Sequence, residues 1–231
     1  MKKHVPNALS CLNLFSGCVG IVLAFQDQLV YAGFIIILAT IIDFFDGLTA
    51  RLLKAYSETG EQLDSLADIV SFGILPSVII YQLFLRSPSL GTVSTFLNFS
   101  AFLIAVFSAL RLAKFNIDPR QTDNFIGLPT PANALVIASL PGISEANVTL
   151  SNYILNPFFL FVFTLGMGLL LIAEIPLMSL KFRSKKLDDN LFRYILLISG
   201  SILILIFKFT AFPMIFFIYV GLSLVQFKVV K

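Results

Sequence analysis

Four aspartates stand where an apolar chain should carry none. Asp43 and Asp46 lie near the end of one hydrophobic run, and Asp64 and Asp68 open the next. Carboxylates in or beside hydrocarbon are costly, so they mark functional sites by default. At about 100° per residue, Asp43, Asp46, Gly47 and Ala50 share one face of a helix. Asp64 and Asp68, four positions apart, share a face of the following one. The connection is short, which makes the two helices antiparallel neighbours and brings both acidic pairs to one mouth of a bundle. Like charges in a low dielectric repel unless cations offset them. All-oxygen ligands favour Mg²⁺ or Mn²⁺, and such a site serves to bind a substrate phosphate and to offset charge during phosphoryl transfer. Gly47 and Ala50 keep the facing surface free of bulk, while Arg51 could anchor a diphosphate or pair with an acid. As plain interfacial caps the acids would instead pair with Arg51 and Lys54, and Asp64 would begin its helix. Two acidic pairs on adjacent helices exceed what capping requires.

The elements that must position these groups follow from composition. Of 231 residues, 58% are hydrophobic and 13% charged, with 25 Phe and no Trp and a mean hydropathy of +0.93. Soluble domains average about 25% charged residues, so a soluble or disordered chain is excluded. Charge-free stretches such as Leu9–Phe25, Ile69–Leu85 and Asn147–Ala173 approach the ~20 residues that cross ~30 Å of hydrocarbon. The expected fold is all-α, a polytopic transmembrane bundle of about eight helices: Leu9–Phe25, Leu29–Leu53, Asp64–Leu85, Leu90–Asn116, Pro131–Ser144, Asn156–Leu180, Leu191–Phe207 and Phe209–Phe227. No repeat or linker divides it, so residues 1–231 are expected to form a single membrane domain.

Of the 16 Lys and Arg, all but Arg86 and Lys208 fall on one side of that arrangement. The positive-inside rule therefore predicts both termini, and the aspartate mouth, on the cytoplasmic side of the cell inner membrane. The net charge of +3 reflects this bias and gives no nucleic-acid reading. The basic cluster Lys181, Arg183, Lys185 and Lys186 is read as a topology anchor, and Glu174, placed within the sixth helix, as a structural partner of Lys181. Cys11 and Cys18 lack the spacing of a zinc site and are expected as small core hydrophobes. The basic, then apolar N-terminus is read as a retained first span because Asn13 interrupts the run. His4 is expected to be solvated.

The stretch DFFDGLTARLLKAYSETGEQLDSLAD resembles the signature of the CDP-alcohol phosphotransferase family, D-x2-D-G-x2-A-R-x8-G-x3-D-x3-D. Its fixed positions are Asp43, Asp46, Gly47, Ala50, Arg51, Gly60, Asp64 and Asp68. The resemblance implies a membrane enzyme that moves a phosphoryl-linked group from a CDP-linked donor to an alcohol, releasing CMP. It further implies two divalent ions on the four aspartates, with Asp68 as the base for the attacking hydroxyl. The chemistry is consistent: an alcohol is a poor nucleophile at neutral pH, and a carboxylate beside it can take its proton.

Three further patches are similar to those of phosphatidylserine synthases of the membrane-embedded type. They are Pro6, Asn7, Leu9, Ser10, Asn13, Leu14 and Gly17; RLAKFN at Arg111–Asn116; and GLPTPA within Phe125–Ala134. The implied substrates are CDP-diacylglycerol and L-serine, in a membrane-lipid setting, and the implied assembly is a homodimer. Donor binding is expected from Asn7, Asn13, Asp46, Gly47, Ala50, Arg51, Gly60 and Asp64. Serine is a zwitterion, so its carboxylate calls for a cation, for which Arg111 and Lys114 are candidates; Asn116 and Thr130 could add hydrogen bonds. The same chemistry with glycerol 3-phosphate or an inositol phosphate as acceptor is the nearest alternative. A divalent-cation transporter is a remote one, since an ion path has little use for Arg51.

Overall fold

The computed structural model describes residues 4–55, 57–118, 125–179 and 190–229. They form a helical bundle: α1 (His4–Phe25), α2 (Leu29–Leu53), α3 (Glu58–Arg86), α4 (Thr92–Ile117), α5 (Thr130–Ala146), the short α6 (Val148–Ile154), α7 (Pro157–Ile172), α8 (Leu191–Phe207) and α9 (Ala211–Val229). Five described helical stretches are long and apolar enough to cross a membrane, or six if the pair α6 and α7, bent by 68°, counts as one. One of the five, Leu191–Phe227, is α8 and α9 folded back on each other. A Cβ on Gly200 in α8 would stand 3.6 Å from Ile215 in α9. The protein is a polytopic helical membrane protein, and the eight long helices match the number expected.

Local chemistry sets the boundaries. Ser57 accepts a hydrogen bond from the Gly60 N–H at 3.1 Å and caps α3, so the helix starts six residues ahead of Asp64. Asp64 is therefore no cap. Lys54 ends α2 in the left-handed conformation, φ 49°, with its N–H turned back onto the last helical carbonyls. Asn156 caps α7 by accepting from Phe158 and Phe159 N–H at 2.9 and 3.2 Å. The expected sixth helix is shorter than its apolar run suggests: it stops at Ile172, because Pro176–Leu177 (β2) pairs antiparallel with Phe125–Ile126 (β1). Glu174 consequently sits outside the helix, and Lys181, its expected partner, lies outside the described residues, as does the rest of that basic cluster.

The centre of the bundle is α3, whose most apolar window is 67% buried against 17% for that of α4. Phe72, Leu75, Ile79, Ile80 and Leu83 fill it. Small residues admit the neighbours, as usual where lipid leaves no hydrophobic drive between helices: Ala24, Ala32 and Ala39 are fully buried, and Gly33 lies against the Ala138 backbone of α5. The two cysteines correct an expectation. Both are exposed on the outside of α1, because the inner face of that helix is taken by Ser10, Asn13, Gly17 and Gly20.

Candidate active site

Antiparallel α2 and α3 bring their acidic ends together as the sequence required. One carboxylate oxygen each of Asp43, Asp64 and Asp68 lies within 4.8 Å of the others. Asp46 stands outside that trio and faces α1, where the Ser10 hydroxyl donates to its carboxylate. Among the described residues none of the four acids forms an ion pair. Arg51 in particular turns back along its own helix, its Nε donating to the Gly47 carbonyl at 2.9 Å. Three converging carboxylate oxygens, without an ion pair among the described residues, form a group that could hold a metal ion.

Immediately after Asp68 the chain makes a π-helical turn, Ile69–Ile74, a feature common at functional sites. It turns Ser71 toward α1, where its hydroxyl donates to the Asn13 carbonyl at 2.9 Å. Asn13 is fully buried, and its Nδ2 donates to Asp68 at 3.5 Å. Asn13 thus bears on Asp68 from beneath and does not line the open cavity.

That cavity has a volume of about 970 Å³ and is lined from α1 to the loop before α5. Asn7, all four aspartates, Gly47, Ala50, Arg51, Gly60, Arg111 and Asn116 face it. A Cβ on Gly47 would meet nothing within 4 Å, so the missing side chain leaves space open to a ligand, whereas one on Gly60 would stand 2.9 Å from both Asn7 Oδ1 and Ser57 Oγ. Across the cavity Arg111 is buried at 6% exposure. Its guanidinium carbon lies 5.1 Å from the Phe115 ring centre and 5.8 Å from that of Phe125, and its Nη1 donates to Thr130 Oγ1 at 3.4 Å. Stacking on two rings fixes a long side chain that would otherwise sample many rotamers.

Residues 3–177 match the family model described as CDP-alcohol phosphatidyltransferase. The chain belongs to that family. Among curated relatives, it is 33% identical over 180 residues to a Mycobacterium leprae protein named CDP-diacylglycerol-serine O-phosphatidyltransferase, covering 75% of this chain and 57% of that one. A Helicobacter pylori protein of the same name is 38% identical over 134 residues, 57% of this chain and 54% of that one. One from Methanocaldococcus jannaschii is 30% identical over 195 residues, 84% and 80% of the two chains. The chain spans little more than half the length of the first two relatives. CDP-alcohol phosphatidyltransferases generally use divalent metals, which accords with the oxygen trio.

Two expected acceptor residues are placed differently. Lys114 is exposed and does not line the cavity, because it falls short of a full turn past Arg111, on the side of α4 away from Phe115 and Asn116. Thr130 is fully buried beneath Arg111, so it orients the guanidinium instead of facing the cavity. Asn116 is held by donation to Ser65 Oγ at 2.9 Å, tying α4 to the helix that bears Asp64 and Asp68. The cavity is also lined by residues absent from the expected site, among them Ser10, Ser65, Phe115 and Phe125. Ser10 and Phe115 sit inside the N-terminal and RLAKFN patches, beside amide and charged residues whose chemistry gives the stronger signal.

Proposed function

We propose that the protein transfers the phosphatidyl group of CDP-diacylglycerol to the hydroxyl of L-serine, releasing CMP, as a CDP-diacylglycerol serine O-phosphatidyltransferase. The observation that carries this reading is the convergence of Asp43, Asp64 and Asp68 opposite a buried, ring-stacked Arg111 in one cavity. Its acidic wall suits a metal-bound diphosphate and its basic wall suits the carboxylate of an amino acid.

The donor set fits Mg²⁺ or Mn²⁺: oxygen only, like-charged and without an ion pair among the described residues. Asp43, Asp64 and Asp68 would hold one ion, and Asp46 would help to hold a second. Bound there, divalent ions would offset charge on the diphosphate and on the departing CMP. The remaining work belongs to this chain. Gly47 and Ala50 admit the donor to the α2 backbone, Arg51 at the rim meets its phosphates, and Asn7 and Gly60 shape the wall for the cytidine side. Arg111 orients the acceptor through its carboxylate. Asp68, steadied by the Asn13 amide, takes the hydroxyl proton as oxygen forms its bond to phosphorus and the bond to CMP breaks. A single direct displacement needs no enzyme-bound phosphatidyl group.

The lysine and arginine bias places the site and both termini on the cytoplasmic side of the inner membrane, with residues 1–231 as one domain. Family resemblance adds a homodimer, which cross-linking in native membranes tests. The deciding experiment is CMP release by the detergent-solubilised protein with CDP-diacylglycerol and Mn²⁺ or Mg²⁺. Serine, glycerol 3-phosphate and inositol phosphate are supplied separately. Release with a new phospholipid only from serine is the expected result. Release with another acceptor would replace the serine assignment, and metal flux without CMP would replace the enzyme.

A further inference from the structure

The family match ends at Leu177, which leaves α8 and α9 outside it. Their hydrogen bonds nevertheless lead back to the cavity. Just past β2, the Met178 N–H donates to Ser223 Oγ at 3.1 Å and the Met178 carbonyl accepts from Tyr219 Oη at 3.0 Å. Both hydroxyls come from one face of α9, and Ser223 Oγ also donates to the Tyr219 carbonyl at 2.7 Å. The next carbonyl, that of Ser179, accepts from Arg193 Nε of α8 at 2.8 Å. Arg193, Tyr219 and Ser223 are all buried. Three consecutive peptide groups are therefore fixed by three buried side chains from the last two helices.

Those peptide groups continue directly into β2, where Leu177 pairs with Phe125. The strap extends through Gly127 N–H to the Ile175 carbonyl and Leu128 N–H to the Leu170 carbonyl, both 2.9 Å. Gly127 makes this possible: its φ is 79°, and the Leu171 and Ala173 carbonyls occupy the space a Cβ would need. A two-residue ladder is too short to stand alone. At its far end the Phe125 ring packs on the Arg111 guanidinium.

We propose that the α8–α9 hairpin braces the acceptor side of the cavity, with Tyr219, Ser223 and Arg193 as positioning residues that act on Arg111 through β2, β1 and Phe125. The inference rests on the acceptor role of Arg111 given above. It predicts that loosening the brace weakens acceptor binding and leaves donor and metal binding alone, because the aspartates stand on α2 and α3 away from the Met178 contacts, and the hairpin packs on α2 through Phe209 against Phe34, nine residues before Asp43.

The test uses the full-length protein with Tyr219→Phe, Ser223→Ala and the double variant, measuring KM for acceptor and donor separately. Tyr219→Phe keeps the ring and removes only the donor. The double variant should raise the acceptor KM about tenfold, as expected for two buried hydrogen bonds, with the donor KM and half-saturating metal unchanged. Phe125→Leu should reproduce this effect, and adding Tyr219→Phe to it should raise the acceptor KM no further, since both act along one path. Equal rises in both KM values, an unchanged acceptor KM, or additive effects would overturn the brace. If the double variant fails to fold, the KM split of Tyr219→Phe decides. Should the wild-type protein use another acceptor than serine, the serine assignment falls, and the same split measured with that acceptor still decides the brace.

Discussion

The two ends of the bundle handle charge in opposite ways. Away from the cavity, Arg86 at the end of α3 donates to the Asp27 carboxylate at 2.7 and 3.0 Å and to its carbonyl at 2.9 Å, and lies 3.9 Å from Glu145 of α5. Opposite charges there meet and close the turn between α1 and α2. At the cavity, the four aspartates gather and none forms an ion pair among the described residues, although Arg51 and Arg111 share the same space. A pair that neutralises itself has finished its role on folding. A like-charged group left open, in a setting that makes it costly, has a role only when something binds.

The contrast breaks most visibly at Asp68. Asp68→Asn is nearly isosteric and keeps the contact with Asn13, so the fold and CDP binding should persist. CMP release at saturating metal and serine should fall about 10²–10⁴-fold, the usual contribution of a positioned base. Wild-type turnover by this variant would falsify the assignment of the base.

The second test separates the trio from Asp46. Asp43→Asn or Asp64→Asn should raise half-saturating Mn²⁺ by about 10–100-fold, read from metal titrations of CMP release. Asp46→Asn, whose carboxylate is turned toward Ser10, should shift the metal titration less and the donor KM more. Equal metal shifts for all four positions would show that Asp46 belongs with the trio despite its separate hydrogen bond.

The acidic half of the site was legible in the sequence for a physical reason. Asp43, Asp46, Asp64 and Asp68 stand on two helices joined by a short turn, so helical periodicity and a hairpin suffice to bring them together. Even the open space at Gly47 and the close approach of Asn7 and Ser57 at Gly60 follow from their lack of a side chain. The half around Arg111 was less legible because its parts meet through tertiary packing. Nothing in the spacing of Arg111 and Phe125 reveals that a ring covers the guanidinium, and Lys114, a cation three positions on, looked equally suitable until the turn of α4 put it outside. The π-helical turn after Asp68 and the ladder between Phe125 and Leu177 have no periodic signature at all. The apolar run that continues past Ile172 hides the point where the helix yields to the strap.

Arg111→Ala carries the contrast into that less legible half. Its buried guanidinium has two rings and a hydroxyl for partners and, among the described residues, no carboxylate within ion-pairing distance, so its charge is available to a ligand. The acceptor KM should rise about tenfold or more, the range of a charged hydrogen bond, with a far smaller change in the donor KM. Arg111→Lys should recover little, since an ammonium neither stacks between Phe115 and Phe125 nor reaches Thr130 with the same fork. A parallel rise in both KM values would return Arg111 to a purely structural role.

The smallest effect belongs to the end where charges are already paired. The Arg86 and Asp27 side chains are 28% and 70% exposed, and an ion pair so open to solvent contributes at most about 1 kcal/mol. Arg86→Ala should therefore lower the unfolding midpoint in detergent only slightly. Asp27 holds φ at 63°, a conformation that its contacts with Arg86 help to maintain, so Asp27→Gly should offset part of its own loss of contacts by relieving the backbone. Neither change should alter the acceptor KM, the donor KM or the metal titration, because the turn they fasten lies at the other end of α1 and α2 from Ser10 and Asp43. A change in metal dependence from Arg86→Ala would mean that α1 and α2 move as rigid levers between the two ends, and that the paired end sets the spacing of the unpaired one.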